Sequence, residues 1–180
     1  RIPLILEEID KPVVAKIHGA AVGAGLDMAL MCDVRIASES ATMSESYFNA
    51  GIVPGDGGAY FLPRIIGRDK ALDMFWTTKV LKGAEAERIG LVTHVVPDDE
   101  LDDYVEAYMQ KLLEAPQTAM RLTKRAIYQS EQITLRSSLD MVSSFMGIVT
   151  ELDDYRTRTS ALVEKLNRKH KKHAEEKEKN

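Results

Sequence analysis

A chain of 180 residues can form one domain with a sizeable core, but it is too short for two domains of ordinary size. Its 24 Lys and Arg against 28 Asp and Glu give a net charge of −4, which argues against nucleic-acid binding, because that function needs a concentrated basic face. Charged residues interrupt every apolar run before it reaches the ~20 residues of a membrane span, and Cys32, the single cysteine, excludes an internal disulfide. We therefore expect a cytoplasmic protein with no membrane or nucleic-acid partner.

The first half of the chain alternates short β-branched runs with helical patterns. Residues 3–9 are typical of the end of a helix, and no cap precedes them, so we expect further residues upstream. Strands are predicted at 13–17, 34–37, 41–43 and 91–96, and helices at 26–32, 59–66, 69–77 and 83–88. Met74 and Trp76 are predicted core residues on the third of these helices. Residues 1–97 are thus predicted to form an incomplete α/β core.

From Asp98 onward the apolar period changes to 3.6 residues, which indicates helices. Pro116 separates the first helix from the second, and Thr134 is a candidate cap for the third. The first is predicted to bury the stripe Leu101, Tyr104, Val105, Tyr108 and Leu112, and the third the stripe Leu135, Leu139, Val142, Met146 and Val149. Residues 98–167 are therefore predicted to be a helical region, and the charged tail 168–180 to be disordered.

The segment 19-GAAVGAGLD-27 lies between a predicted strand and a predicted helix. Small residues there allow a ligand to approach the backbone closely, and a helix N-terminus directs unpaired N–H groups towards it. Such a turn can stabilise a carbonyl oxygen that acquires negative charge, although tight packing is the simpler explanation. The glycine spacing does not fit the dinucleotide-binding pattern G-x-G-x-x-G.

Two longer segments resemble the enoyl-CoA hydratase/isomerase (crotonase) family. They are 12-PVVAKIHGAAVGAGLDMALMCDVRIAS-38 and 51-GIVPGDGGAYFLPRIIG-67, and the later runs 82–97 and 155–165 match as well. The resemblance covers nearly the whole chain except the charged tail. It implies a spiral of ββα units with an α-helical C-terminal region that assembles trimers, or hexamers as dimers of trimers.

The resemblance also implies a site that binds an acyl-CoA thioester and stabilises its enolate with two backbone N–H groups. One donor position falls on Ala24, and the other lies on a strand end upstream of this chain. The neighbouring substrate-binding positions are Val22, Gly23, Gly25, Pro54 and Gly55.

Family hydratases use two glutamates, and the chain departs from both. The first position is Asp27 and the second is Tyr47, which has a pKa near ~10 and is a poor base. Asp56, in the glycine-rich loop, falls close to the position where some isomerase-like and dehalogenase-like members of the family place a carboxylate. Each of the three residues also has a simpler structural interpretation. Asp27 can cap or pair at the first turn of its helix, Tyr47 can be a core aromatic, and Asp56 can satisfy a turn before glycine.

For coenzyme A, the family's A-F-x-E-K motif corresponds to residues 161–165, so Lys165 is the candidate cation and Leu162 replaces the aromatic residue. No metal or separate cofactor is predicted, since coenzyme A is part of the substrate. The predicted function is enoyl-CoA hydration. The alternatives are isomerisation or another enolate-forming acyl-CoA reaction, and a non-catalytic acyl-CoA-binding or assembly subunit.

Overall fold

A computed structural model describes residues 2–177, with side chains to residue 170. The chain divides into two compact units, Arg1–Glu114 and Ala115–Asn180. The first contains all the described strands, and the second contains three helices.

Two small sheets organise the first unit. One contains β1 (Val14–Ile17), β3 (Val34–Ser38) and β6 (His94–Val96), all parallel, with β3 in the centre. The other contains β2 (Ala20–Val22), β4 (Thr42–Ser44) and β5 (Leu81–Lys82); β2 and β4 are parallel, and β5 is antiparallel to β4.

Successive strands therefore repeat one pattern. β1 and β2 lead to helix α2 (Ala24–Leu30), whereas β3 and β4 lead to a 3₁₀ helix (Ser46–Ala50) and then to α3 (Gly58–Ile66). Because β1 pairs with β3 and β2 pairs with β4, the second ββα unit lies beside the first. The register sets Val22 opposite Ser44, so the residues after β2 and those after β4 lie next to each other.

The remaining helices of this unit are α1 (Ile2–Glu8), α4 (Arg68–Thr77), α5 (Gly83–Arg88) and α6 (Leu101–Glu114). Helix α5 contacts β4, β5 and β6, α6 contacts β3, and α4 contacts α3 and the 3₁₀ helix. The core between α2, α3, α4 and the second sheet contains fully buried Leu26, Met43, Leu62 and Leu81. A smaller cluster joins α6 to β3 through Leu101 and Ile36, with Tyr104, Val105 and Tyr108 beside them, as the helical period predicted.

In the second unit, α7 (Gln117–Ser130) packs on α8 (Leu135–Thr150), and α8 packs on α9 (Asp153–Lys177). Thr134 caps α8 as predicted, since its hydroxyl accepts a hydrogen bond from the Ser137 N–H at 3.3 Å.

Several details differ from the sequence-based prediction. The apolar stripe of α8 is not buried within the chain: Leu135, Leu139, Val142 and Met146 are 37 to 75% exposed. Residues 168–177, predicted to be disordered, continue α9, because Lys, Glu and Ala favour helix and Arg168 pairs with Glu164 one turn earlier. Residues 178–180 of that predicted tail lie outside the described residues.

Three further differences lie in the first unit. β2 occupies positions predicted as a turn, since its small residues pair with β4. The strand predicted from residue 91 begins at His94, because Leu91 and Val92 enter the core before the chain extends. Met74 is buried as predicted, but Trp76 is 64% exposed. Among the described residues, none of the helices combines the length and apolar character that crossing a membrane requires.

Candidate active site

The glycine turn joins β2 to α2 through one strained position. Gly23 has φ 52° and ψ −120°, which other residues adopt only at a cost. Its N–H donates to the Ser44 carbonyl at 2.9 Å, and its carbonyl accepts the Asp27 N–H at 2.9 Å. A Cβ at Gly23 would lie 3.7 Å from the Tyr47 ring. Gly23 therefore fixes the turn and brings the 3₁₀ helix close to it.

Ala24 is the first residue of α2, and it is exposed. Within the described residues, its N–H has no hydrogen-bond acceptor, as is usual at a helix start. This N–H is therefore free to bind an oxygen atom beside the glycine turn. Val22 and Gly25, on either side of the turn, are also exposed.

Asp27, which takes the position of the first family glutamate, is fully buried. Its Oδ2 accepts a hydrogen bond from the Tyr47 hydroxyl at 2.7 Å, and its Oδ1 has no partner among the described residues. The carboxylate lies directly against Gly58, where any Cβ would overlap Oδ1. The glycine at the start of α3 therefore makes room for the buried Asp27 carboxylate.

Tyr47 is half-buried and connects the acidic groups. Besides Asp27, its hydroxyl lies 3.4 Å from Oδ2 of Asp56, which is exposed on the glycine-rich loop. Burial raises the pKa of Tyr47 well above its ordinary value, and the hydrogen bond to Asp27 and the charges of Asp27, Asp56 and Glu45 raise it further. Tyr47 is consequently a hydrogen-bond donor at neutral pH.

Glu45 is the site residue that the sequence analysis missed. It follows β4 directly, is fully buried, and neither of its carboxylate oxygens accepts a hydrogen bond from a donor among the described residues. Burial raises the pKa of Glu45 to about 8, and the charge and hydrogen bonding of Asp27 contribute to the rise. One signal was available: Glu45 is two residues after Met43, so it continues the inward-facing side of the strand.

The structure thus brings four predicted residues together, Gly23, Asp27, Tyr47 and Asp56, and adds Glu45. Pro54 and Gly55 precede Asp56 on the same loop, where Pro54 is half-buried and Gly55 is exposed.

Lys165 belongs to the second unit, on α9. It lines a shallow pocket of about 300 Å³ with Ala161, Glu164 and Arg168. Two basic side chains beside one acidic side chain can bind a phosphate group there, although Arg168 already contacts Glu164 at 3.3 Å.

Known proteins are similar to this chain in sequence and in architecture. A crotonyl-CoA hydratase of Syntrophomonas wolfei is 34% identical over 161 residues, which are 89% of this chain and 62% of that protein. The crystal structure of an enoyl-CoA hydratase from Bacillus anthracis superposes with a TM-score of 0.86 at 34% identity, covering 91% of this chain and 63% of that chain. The crystal structure of a Thermobifida fusca protein in complex with acetoacetyl-CoA superposes with a TM-score of 0.79 at 32% identity, covering 83% of this chain and 59% of that chain.

The chain spans about three-fifths of the length of the curated relatives that it matches first, 62% and 61%. The TM-scores confirm the predicted fold, in which ββα units precede a helical C-terminal region. The sequence profile of the enoyl-CoA hydratase/isomerase family matches residues 4–173. This match covers both the glycine turn and the Tyr47–Asp27 pair, and the chain belongs to the enoyl-CoA hydratase/isomerase family.

Proposed function

We propose that the protein acts on acyl-CoA thioesters and hydrates a 2-enoyl-CoA. One observation carries the proposal. The Tyr47 hydroxyl donates a hydrogen bond to Asp27, and the Tyr47 ring lies against Gly23, the residue directly before the free N–H of Ala24. A proton donor and an oxyanion donor therefore lie side by side, as enolate chemistry on a thioester requires.

The Ala24 N–H is one donor to the thioester carbonyl oxygen. As the thioester becomes an enolate, negative charge develops on that oxygen, and the N–H stabilises the charged form more than the neutral one. Loss of one such donor typically lowers turnover by ~10²–10³-fold. The donor is backbone, so an alanine serves as well as a glycine at this position.

Hydration transfers the elements of water to the double bond. A water O–H bond breaks as the oxygen bonds to the β carbon, and the water proton finally resides on the α carbon. Asp27 is buried beneath Tyr47, so the water proton reaches it by relay: Tyr47 accepts the water proton while passing its own to Asp27. The reverse relay delivers the proton to the α carbon, and both groups return to their starting state.

A second reaction, isomerisation, is favoured by Asp56. This exposed carboxylate lies 3.4 Å from the Tyr47 hydroxyl, on the solvent side of the pair. Moving a double bond needs one base that reaches both the α and γ carbons, and it does not need activated water. In this reaction Asp56 is the base and Tyr47 orients it.

We also propose that Lys165 binds a phosphate of coenzyme A and that the protein assembles as a trimer or a hexamer. The pocket beside Lys165 supports the first, and the exposed apolar stripe of α8 supports the second, since a stripe of that size is normally covered. Neither reaction needs a metal or a separate cofactor.

A panel of enoyl-CoA thioesters tests the function. Incubation of the purified protein with crotonyl-CoA should remove the conjugated absorbance and add the mass of one water. Migration of the double bond without a mass change would favour isomerisation and Asp56. Binding of a saturated acyl-CoA in calorimetry without turnover of any enoyl-CoA would favour the non-catalytic binding subunit.

A further inference from the structure

Three carboxylate oxygens are buried together without partners in the described part of the chain. They are Oδ1 of Asp27 and both oxygens of Glu45, and both residues are fully buried. Asp27 lies close enough to Glu45 for its charge to act on that carboxyl group. Two ionised carboxylates so placed repel strongly when little solvent screens them. The geometry is stable only if one of the two carries a proton.

Neighbouring hydroxyl groups do not supply the missing hydrogen bonds. The Ser44 hydroxyl lies 2.7 Å from that of Ser46 and 3.2 Å from the Thr78 carbonyl. The Tyr47 hydroxyl is directed at Oδ2 of Asp27. Glu45 in its protonated form supplies a donor for Oδ1 of Asp27.

We propose that Glu45 is a positioning residue that keeps its proton at neutral pH and donates it to Oδ1 of Asp27. Asp27 then accepts one hydrogen bond on each oxygen, from Glu45 and from Tyr47, and carries the single negative charge of the pair. Buried carboxyl pairs commonly share one proton in this way. The inference rests on the proposed function only in that it makes Asp27 the working base.

The groups that face Glu45 support this assignment. Asp27 approaches from α2, and the charge of Glu45 in turn contributes to the raised pKa of Tyr47 on the 3₁₀ helix. Burial and the Asp27 carboxylate both raise the pKa of Glu45, to about 8. Below that pH Glu45 is neutral and holds Asp27 in place, whereas above it a second charge repels Asp27 and removes the hydrogen bond. Turnover should therefore decline as the pH rises through about 8.

Infrared difference spectroscopy on the substrate-free protein tests the proton directly. The wild type should show the carbonyl band of a buried, protonated carboxyl group that disappears near pH 8, and Glu45→Gln should lack it. Asp27→Asn removes the negative charge that favours the proton on Glu45. In that variant the carbonyl band should therefore disappear at a lower pH than in the wild type. A wild-type spectrum without such a band, or a band that persists in Glu45→Gln, would overturn the proposal.

Kinetics separate positioning from mere packing. Glu45→Gln keeps a neutral donor, so kcat at pH 7 should stay within about threefold of the wild type and its decline near pH 8 should vanish. Glu45→Leu removes the donor, and kcat should fall about tenfold or more at an unchanged KM. Equal losses in the two variants, with the pH profile unchanged, contradict the inference.

The two proposals fail separately. If no enoyl-CoA is turned over, the proposed function is wrong, and the infrared titration still decides whether Glu45 holds the proton. If Glu45→Leu does not fold, the wild type and Glu45→Gln together still give both readouts.

Discussion

Replacing Gly58 with alanine should damage both stability and turnover, against the usual trend for a helical glycine. Alanine in place of glycine within a helix ordinarily stabilises by about 0.5–1 kcal/mol. At Gly58 the added Cβ would overlap Oδ1 of Asp27 and lie 3.0 Å from its Cγ. Asp27 is fully buried and held by Tyr47 at 2.7 Å, so it cannot move away freely.

The magnitude follows from two opposing effects. Overpacking of a buried site costs about 1–3 kcal/mol, and loss of the charge-assisted hydrogen bond from Tyr47 adds roughly 1.5–3 kcal/mol. The helical gain offsets at most about 1 kcal/mol of this. We therefore expect Gly58→Ala to lower the free energy of unfolding by about 1.5–6 kcal/mol and to lower kcat at least tenfold, because the displaced carboxylate no longer meets Tyr47.

Urea unfolding and crotonyl-CoA turnover provide the assays, and Gly147→Ala provides the matched control. Gly147 lies within α8, and apart from the backbone of its own helix nothing in the described part of the chain comes within 4 Å of its added Cβ, so that variant should be neutral or slightly stabilised. In an Asp27→Ala background the cost of Gly58→Ala should largely disappear, as a double-mutant cycle would show. The reasoning is refuted if Gly58→Ala is as stable and as active as Gly147→Ala.

Four further predictions test the site and its surroundings. Asp27→Asn should lower kcat by ~10²–10⁴-fold with acyl-CoA affinity in calorimetry largely retained, and Tyr47→Phe should cause a loss of similar size, because the relay needs both groups; near-wild-type turnover by Tyr47→Phe would contradict the relay. The folded state holds the Glu45 proton more tightly than the unfolded chain, where its pKa is about 4.5, so the free energy of unfolding should fall by up to about 5 kcal/mol as pH rises from 4.5 to 8. Glu45→Gln should flatten this dependence in urea titrations. Ala24→Pro removes the N–H and should lower turnover far more than Ala24→Gly does. Lys165→Glu should weaken coenzyme A binding in calorimetry more than it changes the assembly size in light scattering, and unchanged affinity would exclude Lys165 from the binding site.

Local patterns in the sequence were sufficient for most helices. The 3.6-residue period of Leu101, Tyr104, Val105 and Tyr108 predicted both α6 and the face that it buries. The same reasoning predicted α8 but not the surroundings of its stripe, which stays exposed within the chain. Periodicity reports that a face is apolar, and it does not report what covers that face.

The glycine turn and its resemblance to the family were also recognisable in the sequence, because the small residues and their spacing lie within one short segment. Predicted positions Asp27, Tyr47 and Asp56 do meet in the structure. Their arrangement was not predictable: Asp27 lies beneath Tyr47 rather than open to substrate, because the start of α3 and the 3₁₀ helix close over it.

Only the tertiary structure identified Glu45 as part of the site. Its contact with Asp27 depends on the parallel pairing of β2 with β4, which joins residues about 20 positions apart in sequence. Short-range patterns determine which segments are helices or strands, because they reflect the geometry of neighbouring residues. The protonation of a buried carboxyl group depends instead on which charges from distant parts of the sequence lie near it and on how little water reaches it. Both are set by the fold alone.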